Sequence, residues 1–281
     1  MPVYNIPLSV PAALVLASAP VKTRHMAHII PGDVSTYIYT ERNAYYRGYQ
    51  DSVFGKTCRK GGYDCMRHYE ILMNGCIPWF EDLPSFPPTL MQNFPTKIVL
   101  DAMKSETPEE YIPELLEYTR THLTTRASAQ YLLDTVGIQP KRVLFLGSDP
   151  TPDCTRDLLL SGLKEILGKN CCESVYVPHI YDDFGSMNSY YGRGFTYSKS
   201  VPAALKPPPI HISEIENHAF DMVLYGSYTR GAPYWDLVNS VYSKNEIVIV
   251  CGEDTHDLEG CEVYRLGKLG YNVFIRELTQ P

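Results

Sequence analysis

Long apolar runs are missing from this chain of 281 residues, and none approaches the roughly 20 residues that a membrane-spanning helix needs. A basic surplus is missing as well. The chain has 25 Lys and Arg against 32 Asp and Glu, a net charge of −7. That excludes a general nucleic-acid binder, which needs a basic face to displace counterions, but leaves room for a local basic pocket that holds one small anion. None of the eight cysteines forms a C-x-x-C pair, so neither a zinc ribbon nor a disulfide framework is expected, and the thiols read as reduced and buried. The apolar start MPVYNIPLSVPAALVLASAP lacks a basic leader, and Pro2, Pro7, Pro11 and Pro20 interrupt any helix, so a signal peptide is not expected. The expectation is a cytoplasmic protein with no membrane anchor and no nucleic-acid partner.

Buried-strand runs and amphipathic helices fill the chain. In the first half, 40–50 reads as a helix, 52–58 as a strand, 64–74 as a helix and 77–80 as a strand, with a proline-rich loop to Pro95. Residues 107–136 read as helices that Thr107 caps, with Pro108 at the first position, and Gly137 stops them. The second half alternates again: strand 142–148, helix 155–168, strand 174–178, then strands at 220–227, 246–252 and 271–278 with helical material at 231–242. The grammar is that of α/β layers with parallel strands. The expected division is a first domain over 1–106, a helical connection over 107–139 and a second, doubly wound domain over 140–281. Two such layers predict a cleft between them.

One stretch concentrates chemistry: RKGGYDCMRHYEILMNGCIPWF, residues 59–80. Gly61 and Gly62 let a backbone approach a ligand, and a helix N-terminus favours an anion. Lys60 and Arg67 add positive charge suited to a diphosphate, Asp64 and His68 share the polar face, and Glu70 one turn on suits a ribose diol. The same pattern also fits an ordinary amphipathic helix with a solvated polar face after a glycine turn.

This segment, with YYRGYQDSVFGKTCRK before it, resembles the donor-binding segment of exostosin-like glycosyltransferases over residues 41–98. The resemblance implies a GT-B fold, two Rossmann-like domains facing a central cleft, with a nucleotide-sugar held mainly by one of them. Glu70 would bind the ribose, and Gly61, Gly62 and Arg67 would lie near the diphosphate. VLFLGSDPTPDCTRDLLLSGLKEILG, YGRGFTYS, FDMVLYGSYTR, IVIVCGED and FIREL resemble the other domain of bacterial members, in which the domain order is the reverse. A circular permutation is therefore expected, with FIREL joining YNIPLSVP in the unpermuted order. Within the family, the xylosyltransferases of large algal viruses are similar in length. Likeness to them implies UDP-xylose as donor, inversion at the transferred sugar and a fucose of a viral capsid N-glycan as acceptor.

Such a transfer needs a general base for the acceptor hydroxyl and positive charge for the departing UDP. With no D-x-D motif, a metal-independent reaction without cofactor is expected, and Lys60, Arg67 and the helix N-terminus would serve the leaving group. The base candidates are Asp149 and Asp153 in GSDPTPDCTRD, because loops at the carboxyl ends of strands line clefts. Both also fit plain structural roles, Asp149 in a turn and Asp153 as a helix cap. Glu253, Asp254 and His256 form the alternative set. Arg193 and Arg230 are further cleft candidates, and His179, Asp182 and Asp183 match no strong metal pattern. Two other functions compete. A nucleotide-cofactor oxidoreductase lacks its G-x-G-x-x-G fingerprint after 142–148, and a non-catalytic glycan-binding module would use the 22 tyrosines but leaves the basic glycine turn unexplained.

Overall fold

A computed structural model describes residues 3–187, 189–254 and 261–279, so His256 lies outside the described residues. The chain opens with β1 (Val3–Asn5) and β2 (Arg24–Met26). Then follow α1 (Arg42–Gln50), β3 (Ser52–Lys56), α2 (Met66–Met73) and β4 (Ile77–Trp79). Three helices come next: α3 (Thr96–Lys104), α4 (Ile112–His122) and α5 (Thr125–Val136), the last closed by Gly137 in a left-handed cap. The later part holds β5 (Val143–Leu146), α6 (Cys154–Leu167), β6 (Cys171–Glu173), α7 (Ile212–Glu216) and β7 (Met222–Tyr225). It ends with α8 (Trp235–Val241), β8 (Ile247–Cys251), α9 (Glu262–Lys268) and β9 (Asn272–Ile275). No described helix is long and apolar enough to cross a membrane.

The strands form two parallel sheets: six in the order β1-β9-β8-β7-β5-β6 and three in the order β2-β3-β4. In the larger sheet, alternate residues of each strand feed cores on opposite faces, because successive side chains of a strand point to opposite sides. Val143, Phe145, Leu224 and Phe274 pack with α5 and α6, whereas Leu144, Val223, Ile249 and Val273 pack with α7, α8 and α9. Burial on both faces explains why these strands read as unbroken apolar runs. From β5 the chain moves to β6 on one side and later to β7 on the other, so a crevice opens at the carboxyl ends of β5 and β7. Phe54 and Ile77 of the smaller sheet pack with Leu72 of α2 and residues of α3 and α4.

Several expectations need correction. The strand foreseen at 174–178 is instead at Cys171–Glu173, and Pro178–Ile180 is a 3-10 turn. The strand ends on a buried acid, Glu173, held by Lys164 and Tyr181. Helix α3 was not foreseen, and the Thr107 side chain caps nothing. The start of the chain belongs to the larger sheet, since β1 pairs with β9. Because Tyr4 lies opposite Phe274 in parallel register, a join from FIREL back to YNIPLSVP would require a crossover along the strands rather than a turn.

Candidate functional site

A cleft of about 850 Å³ lies where the two sheets meet. The smaller-sheet side brings Lys60, Gly61, Gly62, Asp64, Arg67 and Glu70 to it; the larger-sheet side brings Asp153, Arg193, Arg230 and Asp254. Residues more than a hundred positions apart thus converge; of the donor-side and base candidates among the described residues, His68 and Asp149 do not line it.

The glycine turn is filled by the protein itself. The Glu277 carboxylate accepts the Tyr63 and Asp64 amides at 3.0 and 2.9 Å and pairs with Arg276 at 2.8 Å, fully buried. A Cβ on Gly62 would come within 2.6 Å of Glu277 Oε1 and 2.5 Å of Asp254 Oδ1, and one on Gly61 within 2.7 Å of Asp254 Oδ2. The two glycines therefore admit carboxylates from the ends of β8 and β9 and bind the two layers together. Asp64 belongs to this joint. It is buried, its Oδ2 accepts the Leu8 amide at 2.7 Å, and burial, opposed by Arg276, lifts its carboxyl to about 6.

His68 is a core residue. Its Nε2 donates to the Tyr63 carbonyl at 3.0 Å, its Nδ1 lies 2.7 Å from the Thr57 hydroxyl, and its ring packs 4.3 Å from Phe80. Burial pushes it down to about 3, so it stays neutral and faces no ligand. The polar face expected for it assumes a helix from Asp64, but α2 begins only at Met66 and its buried stripe includes His68, Tyr69 and Leu72.

Lys60 and Arg67 behave differently. Lys60 Nζ donates to the Tyr37 hydroxyl at 3.2 Å, and Arg67 Nη2 approaches the same oxygen at 3.5 Å while the Gly32 amide donates to it at 2.9 Å. Although partial burial opposes it, these three donors hold the Tyr37 phenol below its usual range. Arg67 Nε is buried and has no hydrogen-bond partner among the described residues. Neither cation meets a carboxylate within ion-pair distance among those residues, so the pair presents unspent positive charge to the cleft. Tyr37 was not singled out in the sequence; it follows a 3-10 turn, Val34–Thr36, in a stretch with no local signal for a site.

On the opposite wall Arg230 and Arg276 are paired. Arg230 Nε lies 3.4 Å from Asp153 and 3.7 Å from Glu253, and Arg276 joins Asp254 to Glu277. Asp153 caps α6 through the Arg156 amide at 3.1 Å, and it still lines the cleft. Asp149 instead closes a turn on the Thr151 amide at 2.7 Å, and the Thr151 hydroxyl holds its carboxyl below the usual range. Beneath them Asp157 accepts from the fully buried Arg156 and lies 2.6 Å from His179, a cluster that sequence reading missed. This spends His179 inside the fold, while Asp182 accepts the Ala203 amide and Asp183 pairs with Lys206, so PHIYDD holds together loops rather than one ion.

Glu70 is engaged by two hydroxyls, Tyr45 on Oε2 and Thr196 on Oε1, each at 2.5 Å. Thr196 belongs to the segment 190–198, which crosses from the larger layer. There the Tyr46 hydroxyl donates to the Phe195 carbonyl at 2.8 Å, and Arg42 to the Ser198 carbonyl at 3.1 Å. Gly192 and Arg193 sit there in left-handed conformations, φ 53° and 52°, which turn Tyr191 and Arg193 to the cleft mouth. Against these findings, no family model, curated protein or solved structure matches the chain.

Proposed function

We propose that the protein is a glycosyltransferase of GT-B type that moves a sugar from a UDP-sugar to a glycan hydroxyl with inversion. The observation that carries the reading is the pair Lys60 and Arg67, cationic and without carboxylate partners among the described residues, in a cleft large enough for a nucleotide-sugar. The diphosphate would lie against Lys60 and Arg67 rather than in the glycine turn, where it would compete with Glu277. The ribose would reach Glu70. Asp153, inside the cleft, is the better base candidate of the two foreseen, because Asp149 is spent in a turn. Xylose as the sugar, fucose of a viral capsid N-glycan as acceptor and the permuted domain order rest on the sequence resemblance alone.

Titration calorimetry with UDP, UDP-xylose and NAD tests this reading. UDP and UDP-xylose are expected to bind and NAD not to. Arg67→Ala is expected to weaken UDP by about 10- to 100-fold, the worth of a charge-assisted hydrogen bond or two, without lowering the melting temperature. A wild type that ignores UDP while binding glycans would sink the transferase and favour the binding module.

A further inference from the structure

Glu70 holds one hydroxyl on each carboxylate oxygen. Two neighbouring hydroxyls of a sugar ring would meet a carboxylate in the same way. Tyr45 comes from α1 and Thr196 from the strap 190–198, so the carboxylate also fastens one layer to the other. The strap is also held to the smaller layer by Tyr46, at the Phe195 carbonyl and 3.2 Å from the Thr196 hydroxyl, by Arg42, by the Tyr45–Phe195 ring pair at 5.5 Å and by Tyr197, buried in the same core cluster as Tyr46. It contributes Tyr190, Tyr191, Arg193 and Tyr197 to the wall of the cleft.

We propose that the Thr196 and Tyr45 hydroxyls keep the places of a ligand's vicinal diol on Glu70, so that binding the diol and unfastening the strap are one event. The inference rests on the reading of Glu70 as a sugar contact. A ligand hydroxyl replaces the Thr196 hydroxyl on Oε1, hydrogen bond for hydrogen bond, and the gain from the ligand's other contacts is set against the loss of the latch. Thr196 is then the residue that tunes how readily a diol enters, and a ligand with only one of the two hydroxyls leaves the strap fastened.

Hydrogen exchange of peptides spanning 190–198 in the full chain reads this directly. UDP at saturation is expected to speed exchange there, and 2′-deoxy-UDP at equal occupancy is expected not to. Thr196→Val, of nearly the same shape, is expected to speed exchange without ligand and to bind UDP about tenfold more tightly, because the latch no longer competes. Slower exchange with UDP, or weaker UDP binding by Thr196→Val, overturns the proposal and makes Thr196 a residue that orients Glu70 for the ligand. If UDP does not bind at all, the transferase reading fails on its own account. Millimolar ribose then judges the latch, since its hydroxyls need no phosphate site: strap exchange that ribose leaves unchanged overturns it.

Discussion

The two walls of the cleft carry similar residues and use them in opposite ways. On the larger-sheet wall Arg230 and Arg276 each sit between two carboxylates, and the chain's own acids complete them. On the smaller-sheet wall Lys60 and Arg67 share a tyrosine hydroxyl and, among the described residues, pair with no carboxylate. Internal pairing marks charge committed to the joint between layers; its absence marks charge kept for something that arrives from solution. The glycine pair sharpens the lesson, because a motif that looks built for a ligand is occupied by Glu277.

The largest test of that contrast is Glu277→Ala. It strands the Tyr63 and Asp64 amides and half of the Arg276 pairing, and unfolding by urea is expected to show a loss of about 3–5 kcal/mol. A loss as small as that of a surface pair, below about 1 kcal/mol, would mean that the turn is open to ligands after all.

A second test concerns the buried groups under the smaller-sheet wall. His68 takes up a proton at 6.5 when unfolded and only near 3 when folded, so its contribution to stability is lost as pH falls through that interval. Asp64 gives up its proton at 3.8 when unfolded and near 6 when folded, so its contribution is present below 3.8 and lost as pH rises to 6. Between pH 4 and 6 the two slopes cancel. In His68→Leu the fall due to Asp64 remains, about 2 kcal/mol on going from pH 4 to 6; in Asp64→Asn a rise of similar size remains. Denaturant midpoints at pH 4, 5 and 6 check both, and equal slopes in the two variants would return these residues to the solvated face.

The smallest effect is expected for Asp149→Asn, which keeps the turn to Thr151 and sits away from the cleft: a stability change within about 0.5 kcal/mol and UDP affinity unaltered. A large loss of UDP binding would bring the loop after β5 back into the site.

Local signals made much of this architecture legible. Apolar runs gave β5, β7, β8 and β9, and Asp153 and Gly168 bracketed α6. Lys60, Arg67 and Glu70 were found because they crowd into one short segment. What escaped depends on distant partners. Glu277 meets Asp64 across 213 positions, β1 finds its place only beside β9, and His68 becomes apolar in character only through Thr57, Tyr63 and Phe80. A polar side chain satisfied inside a core looks, in sequence, like one meant for water.

The pairing of β1 with β9 has a further bearing, on the order of assembly. Val3 and Val273 must meet across nearly the whole chain, and the segment after β1 then offers Leu8 to Asp64 and Val10 to Thr124. Contacts of such separation close late, because chain entropy opposes them until the intervening structure has formed. The strand Val3–Asn5 is therefore expected to be laid into the sheet late. Until it arrives, the edge of β9 stays bare and the joint beneath the cleft stays loose, so completion of the fold and completion of the site fall at the same step.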